Sequence, residues 1–459
     1  MLNELRIQNF KSWADTGGMR LAPITGLFGA NSSGKTSILQ FLLLLKQTVE
    51  NTDRSRVLLF GDESDDRTIV KLRSFFDVIH NHQTSSNLEF SISWDAEEFL
   101  NQPNIKFHAS IGLDNYQDIH HSNLLVKSFK YSFDERGFGM NKVAEKLVRE
   151  TKSSSQNRYS FQLEGKETQY IQSQAVDEDS MFLPPVRFYG FPGEVVREIK
   201  FNLTDQLILL DLPLSLEQFF ESVFYLGPLR ESPRPSYFWG SESLRDVGSR
   251  GENAVPAILA SKFFKTGLQG RAVEENVARW LKKMRLIHAF SLQPLGKNRR
   301  EYEVRIQQYP GSAEVLLTDV GFGVSQLLPV LVLCYYVPEG SILLLEQPEI
   351  HLHPSVQADL ADVFVEVAKK RNLQIILESH SEHLLRRLQR RIAENKKISA
   401  DQTALYFCEM KEGVSHLLPL KMDEYGNINN WPKDFFGDEM GDLVALTDAA
   451  MKQMQTKGE

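Results

Sequence analysis

Residues Gly29 to Thr36 read G-A-N-S-S-G-K-T and match the spacing G-x-x-x-x-G-K-[ST]. Chemistry dictates the residue types. Gly29 and Gly34 let the backbone curl so that the N–H groups of Ala30, Asn31, Ser32 and Ser33 converge on phosphate oxygens. Lys35 reaches the β- and γ-phosphates as a point charge, and the Thr36 hydroxyl is placed for Mg²⁺. Upstream, Ile24–Phe28 reads as a short buried strand. Downstream, Ser37 opens an apolar helix to Gln47 whose N-terminus faces the anion. Strand, loop and helix in that order predict an α/β fold with a site for ATP.

Composition narrows the class. With 459 residues, 42% of them hydrophobic, the chain can bury two or three cores. A formal charge of −8 excludes a protein that coats nucleic acid by bulk charge, though not one with a local basic groove. Two cysteines, Cys334 and Cys408, lack metal-like spacing and point to a reducing compartment. No apolar run is long enough to span a bilayer, and the first residues lack a signal peptide's apolar core. The expectation is a cytoplasmic protein that does not engage membranes.

Along the chain, residues 4–10 alternate as a strand, and Leu88–Trp94, Ile105–Ile111, Leu124–Phe133, Tyr159–Leu163 and Val186–Tyr189 read as further strands. Leu216–Phe224, Asn253–Phe264 and Val273–Leu286 read as helices, with the Pro-rich loop Y-L-G-P-L-R-E-S-P-R-P after the first. Phe290–Ile306 returns to strands.

The C-terminal third supplies a second set of motifs. S-I-L-L-L-E-Q-P-E ends a buried parallel strand in Glu346, placed as the acid that meets the metal held by Thr36. One helix later, roughly Ser355–Lys369, L-Q-I-I-L-E ends a second strand, followed by Ser379 and His380. A neutral His380 imidazole there suits a hydrogen bond to the γ-phosphate. Upstream, Gly321, Gly323 and Ser325 precede an apolar helix, Leu331–Val337, and can offer N–H groups and a hydroxyl to an anion.

This order of motifs resembles the ABC-type ATPase heads of the RecF, SMC and OLD proteins. Within that group, L-L-L-E-Q-P-E-I-H-L-H-P followed by I-L-E-S-H-S-E-H-L resembles prokaryotic AAA-type ATPases of anti-phage defence operons, such as PARIS- or Septu-like subunits. The resemblance is specific over about 1–45 and 315–385. It implies a P-loop head with a mixed sheet, a β-rich insertion and a helical lid. Residues 1–84 would form the first part of the head, 85–215 the β-rich insertion, 216–310 the lid, 311–420 the second part of the head and 421–459 a tail. It also implies a head-to-tail ATP sandwich, as a dimer or a larger homo-oligomer. One protomer would supply Gly29 to Ser37, Glu346 and His380, and the other Gly321 to Gln326. Two departures matter. The signature is F-G-V-S-Q, so Gly323 and Ser325 remain alternatives for the γ-phosphate contact. The position after the acid, usually a catalytic glutamate, is Gln347, so Gln347, Glu349, Glu378 and His380 all remain candidates to handle the attacking water.

Three functional readings follow. The first is a slow ATPase switch that senses an invader and controls a separate effector such as a nuclease. The second is a RecF-like ATPase that binds DNA directly, through the helix carrying His383, Arg386, Arg387, Arg390 and Arg391 and the cluster Lys297–Arg300. The third is a nucleotide-bound scaffold. The pair His351 and His353 suits a loop facing a partner protomer better than a zinc site. Asn427–Phe436 reads as an aromatic packing strap.

Overall fold

Alternation of side chains between two faces builds this molecule. A computed structural model describes residues 1–62, 64, 68–96, 102–114, 123–143, 158–165, 182–198, 203–240, 244–264, 268–296, 299–394, 398–432, 435 and 439–457. The chain opens with β1 (Leu2–Phe10), β2 (Trp13–Asp15), β3 (Met19–Arg20), β4 (Ile24–Gly29) and helix α1 (Lys35–Glu50). Then come β5 (Leu88–Ala96), β6 (Gln102–Leu113), β7 (Leu124–Phe133), β8 (Arg136–Lys142), β9 (Tyr159–Glu164), α2 (Leu203–Glu221), β10 (Val223–Leu226) and β11 (Tyr237–Phe238). Helices α3 (Ala254–Phe264) and α4 (Leu268–Lys283) precede β12 (Ala289–Pro294), β13 (Glu301–Gln307) and β14 (Glu314–Leu316). The last part runs α5 (Phe322–Tyr336), β15 (Ile342–Glu346), α6 (Pro354–Arg371), β16 (Gln374–Glu378), α7 (Glu382–Ala393), β17 (Thr403–Lys411), β18 (Val414–Pro419) and α8 (Glu439–Lys457).

The fold is α/β with a mixed central sheet, in the order β10-β15-β16-β4-β17-β18. The first five strands are parallel and β18 is the antiparallel edge. Strands β15 and β16 are buried at every position, as expected of parallel strands covered on both faces. Leu27, Leu344, Ile376 and Tyr406 face one core, shared with α1 and an antiparallel sheet of β2-β1-β5-β6-β7-β8-β9. Phe28, Leu345, Leu377 and Phe407 face the other, shared with α3 to α7. The strands read in residues 88–164 therefore extend the sheet that β1 begins, since β1 pairs with β5. A smaller sheet, β11-β13-β12 with β14, lies against the second core.

Three elements differ from the sequence expectation. Val186–Tyr189 is a tight turn closed by a Val186–Gly190 bridge, with Arg187 at φ 56°. Phe188 and Tyr189 are buried and Val186 half-buried, which imitated a strand pattern. The helix expected over Leu216–Phe224 runs from Leu203 to Glu221, and Val223 and Phe224 start β10, which pairs with β15. Apolar runs of this length fit either state, and the parallel partner decides. The helix expected from Leu331 begins at Phe322 and continues through Pro329. Every residue from Val324 to Tyr336 is buried, and that packing outweighs the backbone hydrogen bond lost at proline.

The arginines of α7 are tied down by acids. Asp362 of α6, almost fully buried, accepts from Arg387 Nη1 at 2.6 Å and from Arg391 Nη2 at 2.7 Å. Burial opposes ionisation of Asp362, but the two guanidiniums outweigh it and hold its pKa below the usual range. Arg390 and Arg386 pair with Glu394 and Glu382. Asp362→Ala leaves two partly buried cations without their acid and is expected to cost about 3 kcal/mol in denaturant unfolding at pH 7. Because the Asp362 pKa is depressed by folding, its contribution is present above the unfolded carboxylate pKa. It is lost as pH falls, so the deficit relative to the parent shrinks below about pH 4.

Candidate nucleotide site

The phosphate loop is cramped by its neighbours into a shape that demands glycine at two places. Gly29 ends β4 at φ 137°, and a Cβ there would lie 2.1 Å from the carbonyl oxygen of Cys408 on β17. Gly34 caps α1 at φ 93°, where a Cβ would meet Ser415 Oγ at 2.5 Å. Ser32 also takes a left-handed conformation. The loop is buttressed from outside. Trp13 Nε1 donates to the Gly34 carbonyl at 3.0 Å, and Ser415 Oγ donates to Ser12 Oγ at 2.7 Å. No side chain caps α1, so its first N–H groups are left for the loop's concave side. The buried Lys35 ammonium donates to the carbonyls of Gly29 at 3.1 Å and Ala30 at 2.6 Å, and reaches Ser33 Oγ at 3.4 Å. Burial lowers its pKa, and Glu378 works in the opposite direction. A cradle closed to any Cβ, a lysine and a threonine at the start of a helix fit a triphosphate with Mg²⁺.

Asn31 to Ser37, Ser12, Gln347 and Glu378 line one cleft of about 230 Å³. Two acids end adjacent strands in the same register, Glu346 on β15 opposite Glu378 on β16. They are oriented differently. Thr36 Oγ1 donates to Glu378 Oε2 at 2.7 Å, and Lys35 Nζ lies 4.0 Å from Glu378 Oε1. Glu346 instead accepts from Tyr225 Oη at 2.9 Å and is not among the cleft's lining residues. Burial, with Glu378 adding to it, pushes the Glu346 carboxyl up to about 7.

Gln347 enters the cleft from a strained backbone, at φ 43°. Its N–H donates to the Glu378 carbonyl at 2.9 Å. Buried Arg230 fastens the same turn, donating to the carbonyls of Glu346 at 3.2 Å, Gln347 at 3.1 Å and Pro228 at 3.0 Å. His380 is exposed, and its backbone N–H donates to Glu349 Oε1 at 2.7 Å. The surrounding protein and then Lys35 lower its imidazole pKa, favouring the neutral ring. Burial raises the pKa of Glu349.

Gly323 and Ser325 lie outside this cleft, in the first turn of α5, which Gly321 caps. The Ser325 hydroxyl is buried and donates to the Phe322 carbonyl at 2.8 Å, whereas Gly323 is half-buried. Phe322 is exposed and meets His351 edge-on at 5.1 Å. His353 caps α6. Tyr225, Arg230, Ser12 and Trp13 were not picked out as site residues by sequence. For Tyr225 and Arg230 the only signal was the Pro-rich stretch Y-L-G-P-L-R-E; Ser12 and Trp13 carried none. The expected tail strap is seen in part: Phe435 packs on Phe407 at 4.8 Å and Phe28 at 6.2 Å, and Trp431 lies under Arg386. Lys433, Asp434 and Phe436 lie outside the described residues, as do Lys297 and Asn298 of the expected basic cluster.

Family models match the chain in three stretches. They are described as "AAA ATPase domain" over residues 1–184, "AAA domain, putative AbiEii toxin, Type IV TA system" over 190–386 and "Protein of unknown function (DUF3696)" over 398–446. The two AAA matches support an ATPase of the AAA class. Similar solved structures include an SMC head bound to the C-winged helix domain of ScpA, at 12% identity over 92% of this chain and 98% of that one, with a TM-score of 0.42. They also include the SMC head domain from Thermotoga maritima, at 12% identity over 92% and 99%, with a TM-score of 0.40. A third is an SMC head domain with an extended coiled coil, bound to the C-terminal domain of ScpA derived from Pyrococcus furiosus, at 12% identity over 92% and 96%, with a TM-score of 0.39. No curated protein matches the sequence. Among the described residues no helix is long and apolar enough to cross a membrane.

The raised Glu346 pKa has a thermodynamic consequence. Between the ordinary glutamate value and about 7, the folded chain binds more protons than the unfolded one, so this residue's effect on stability worsens as pH rises through that window. Glu346→Gln keeps an acceptor for Tyr225 without the charge. In nucleotide-free protein it is expected to match the parent at pH 5 and to exceed it by about 2–3 kcal/mol at pH 8 in denaturant unfolding. A constant difference across that range removes the buried charge as its cause.

Proposed function

We propose that the chain is an ABC-type ATPase head that binds ATP, hydrolyses it slowly and works as a nucleotide-gated switch over a separate effector, such as a nuclease, in anti-phage defence. One observation carries the slow-switch reading. Gln347 is held in the cleft beside Lys35 and Thr36, where a base for the attacking water belongs. An amide orients water but takes no proton at neutral pH. Arg230 and the Glu378 carbonyl fix its backbone, so the amide is presented without further ordering. Lys35 and the loop N–H groups bind the β- and γ-phosphates. Thr36 and one of the two acids that end β15 and β16, of which the strand pattern alone singles out Glu346, would hold Mg²⁺, which when bound neutralises phosphate charge. His380, with its pKa lowered, offers a neutral donor to the γ-phosphate. Gly321 to Gln326, with Gly323 the less buried of the two candidate contacts, completes a partner protomer's site.

Control of an effector is supported by the motif resemblance and by the AAA match whose description names a toxin of a toxin–antitoxin system. Direct DNA binding drew on α7 and on the cluster Lys297–Arg300; in α7 all four arginines have acid partners. Charges paired in this way release few counterions on meeting a phosphate backbone, which favours the effector reading.

Lys35→Ala should abolish tight ATP binding. Gln347→Glu, measured in single turnover with ATP binding followed in parallel, should speed hydrolysis on the order of 10-fold or more. Rapid parental hydrolysis that Gln347→Ala leaves unchanged would sink the switch reading. Light scattering should show ATP-dependent protomer pairing that Gly323→Arg prevents. A stable assembly indifferent to nucleotide would instead indicate a scaffold.

A further inference from the structure

Two acids end neighbouring strands at the nucleotide site, and the sequence pattern singles out Glu346. We infer, resting on the ATPase reading above, that Glu378 is the acid that holds the divalent cation beside Thr36. The geometry separates the two candidates. Glu378 lines the cleft, is buried on all other sides, and directs Oε2 to Thr36 Oγ1 at 2.7 Å and Oε1 to Lys35 Nζ at 4.0 Å. Its carboxylate thus spans the two side chains that take phosphate and metal. The hydrogen bond puts the Thr36 hydroxyl and the Glu378 carboxylate side by side, where the two would hold a cation together.

Glu346 is drawn the opposite way. Its Oε1 accepts from Tyr225 of β10, and β10 flanks β15 on the side away from β16 and β4. Reaching Thr36 would require Glu346 to leave Tyr225 and pass the strand end that Glu378 occupies. Mg²⁺ asks little of a protein, one or two carboxylates besides substrate phosphates and water.

The placement also says what happens without the cation. Glu378 then neutralises Lys35 and opposes phosphate, so metal and nucleotide should bind with strong mutual dependence. Glu378→Gln removes that opposition along with the metal ligand.

The test uses the full chain with Mn²⁺ in place of Mg²⁺. Mn²⁺ bound in the ADP complex is counted by electron paramagnetic resonance, and a fluorescent ADP analogue is titrated with and without metal. Glu378→Gln should weaken Mn²⁺ binding about 10–100-fold, while its metal-free affinity for the analogue is unchanged or higher, which also shows the variant is folded. Glu346→Gln should change Mn²⁺ affinity far less. Retained Mn²⁺ affinity in Glu378→Gln, or a larger loss in Glu346→Gln, overturns the inference and leaves the ATPase reading standing. Loss of analogue binding by Glu378→Gln even without metal makes the residue structural and overturns it too. A parent chain that binds no nucleotide overturns the ATPase reading itself, and this inference with it.

Discussion

The close approach of β17 to β4 governs the geometry of the site. The two strands pair in parallel from Ile24 to Gly29, and the pairing brings the Cys408 carbonyl to the position a Cβ on Gly29 would occupy. The chain can leave the sheet at that point only through glycine, in a left-handed turn that throws the loop back over the strand end. Trp13 and Ser12 of the antiparallel sheet, with Ser415 of β18, then close on Gly34 from the other side. Contacts from segments hundreds of residues apart thus shape eight consecutive residues. The loop is therefore a property of the whole double-faced sheet, and loosening β17 or β18 disturbs it as surely as a change within the loop.

A second layer works on the turn after β15. Gln347 adopts a backbone that costs a residue with a side chain about 1 kcal/mol, and such a conformation persists only where surroundings over-determine it. Here they do. The Glu378 carbonyl takes its N–H, Arg230 takes its C=O, and Arg230 is itself buried with its pKa lowered to about 10 by burial. Tyr225 and Arg230 both come from the β10 segment, which aligns beside β15 as a parallel strand. The edge strand of the sheet thus supplies the supports that hold the acid and the amide in fixed directions.

What could be read from sequence divides along the same lines. The phosphate loop, the apolar strand ending in Glu346 and the strand ending in Glu378 are local patterns, and each takes the expected place in the sheet. Residues whose role depends on a distant partner were not legible. Val223–Leu226 looks as helical as strand-like until β15 lies beside it. Pro329 reads as a helix break, yet burial on all sides carries α5 through it. Glu378 appears in sequence only as one of several acids near the site, because nothing local tells which carboxylate faces Thr36. That choice is made by Tyr225, which draws Glu346 toward β10, and by the loop, which leaves the space in front of β16 open.

The charges at the sheet edge bear on how the proposed site would be loaded. Two carboxylates end neighbouring strands; the Lys35 ammonium stands beside Glu378, and Arg230 and Lys11 favour the charged form of Glu346 by less than burial opposes it. Burial makes a charge on Glu346 costly, and the neighbouring Glu378 adds to that cost. The rise of Glu346 to about 7 is the chain's partial escape from that cost. Under the ATPase reading, Thr36 and Glu378 would hold a divalent cation, whose charge would offset Glu378 and leave Lys35 to the phosphates. Nucleotide alone brings more negative charge to the same cleft and is opposed by Glu378. On the proposed reading, cation and nucleotide together would meet these opposing charges, whereas either alone would be opposed. Under the switch reading proposed above, such a dependence would let the site ignore partial occupancy, with the Glu378 carboxylate, which now meets Thr36 and Lys35, as the group that responds.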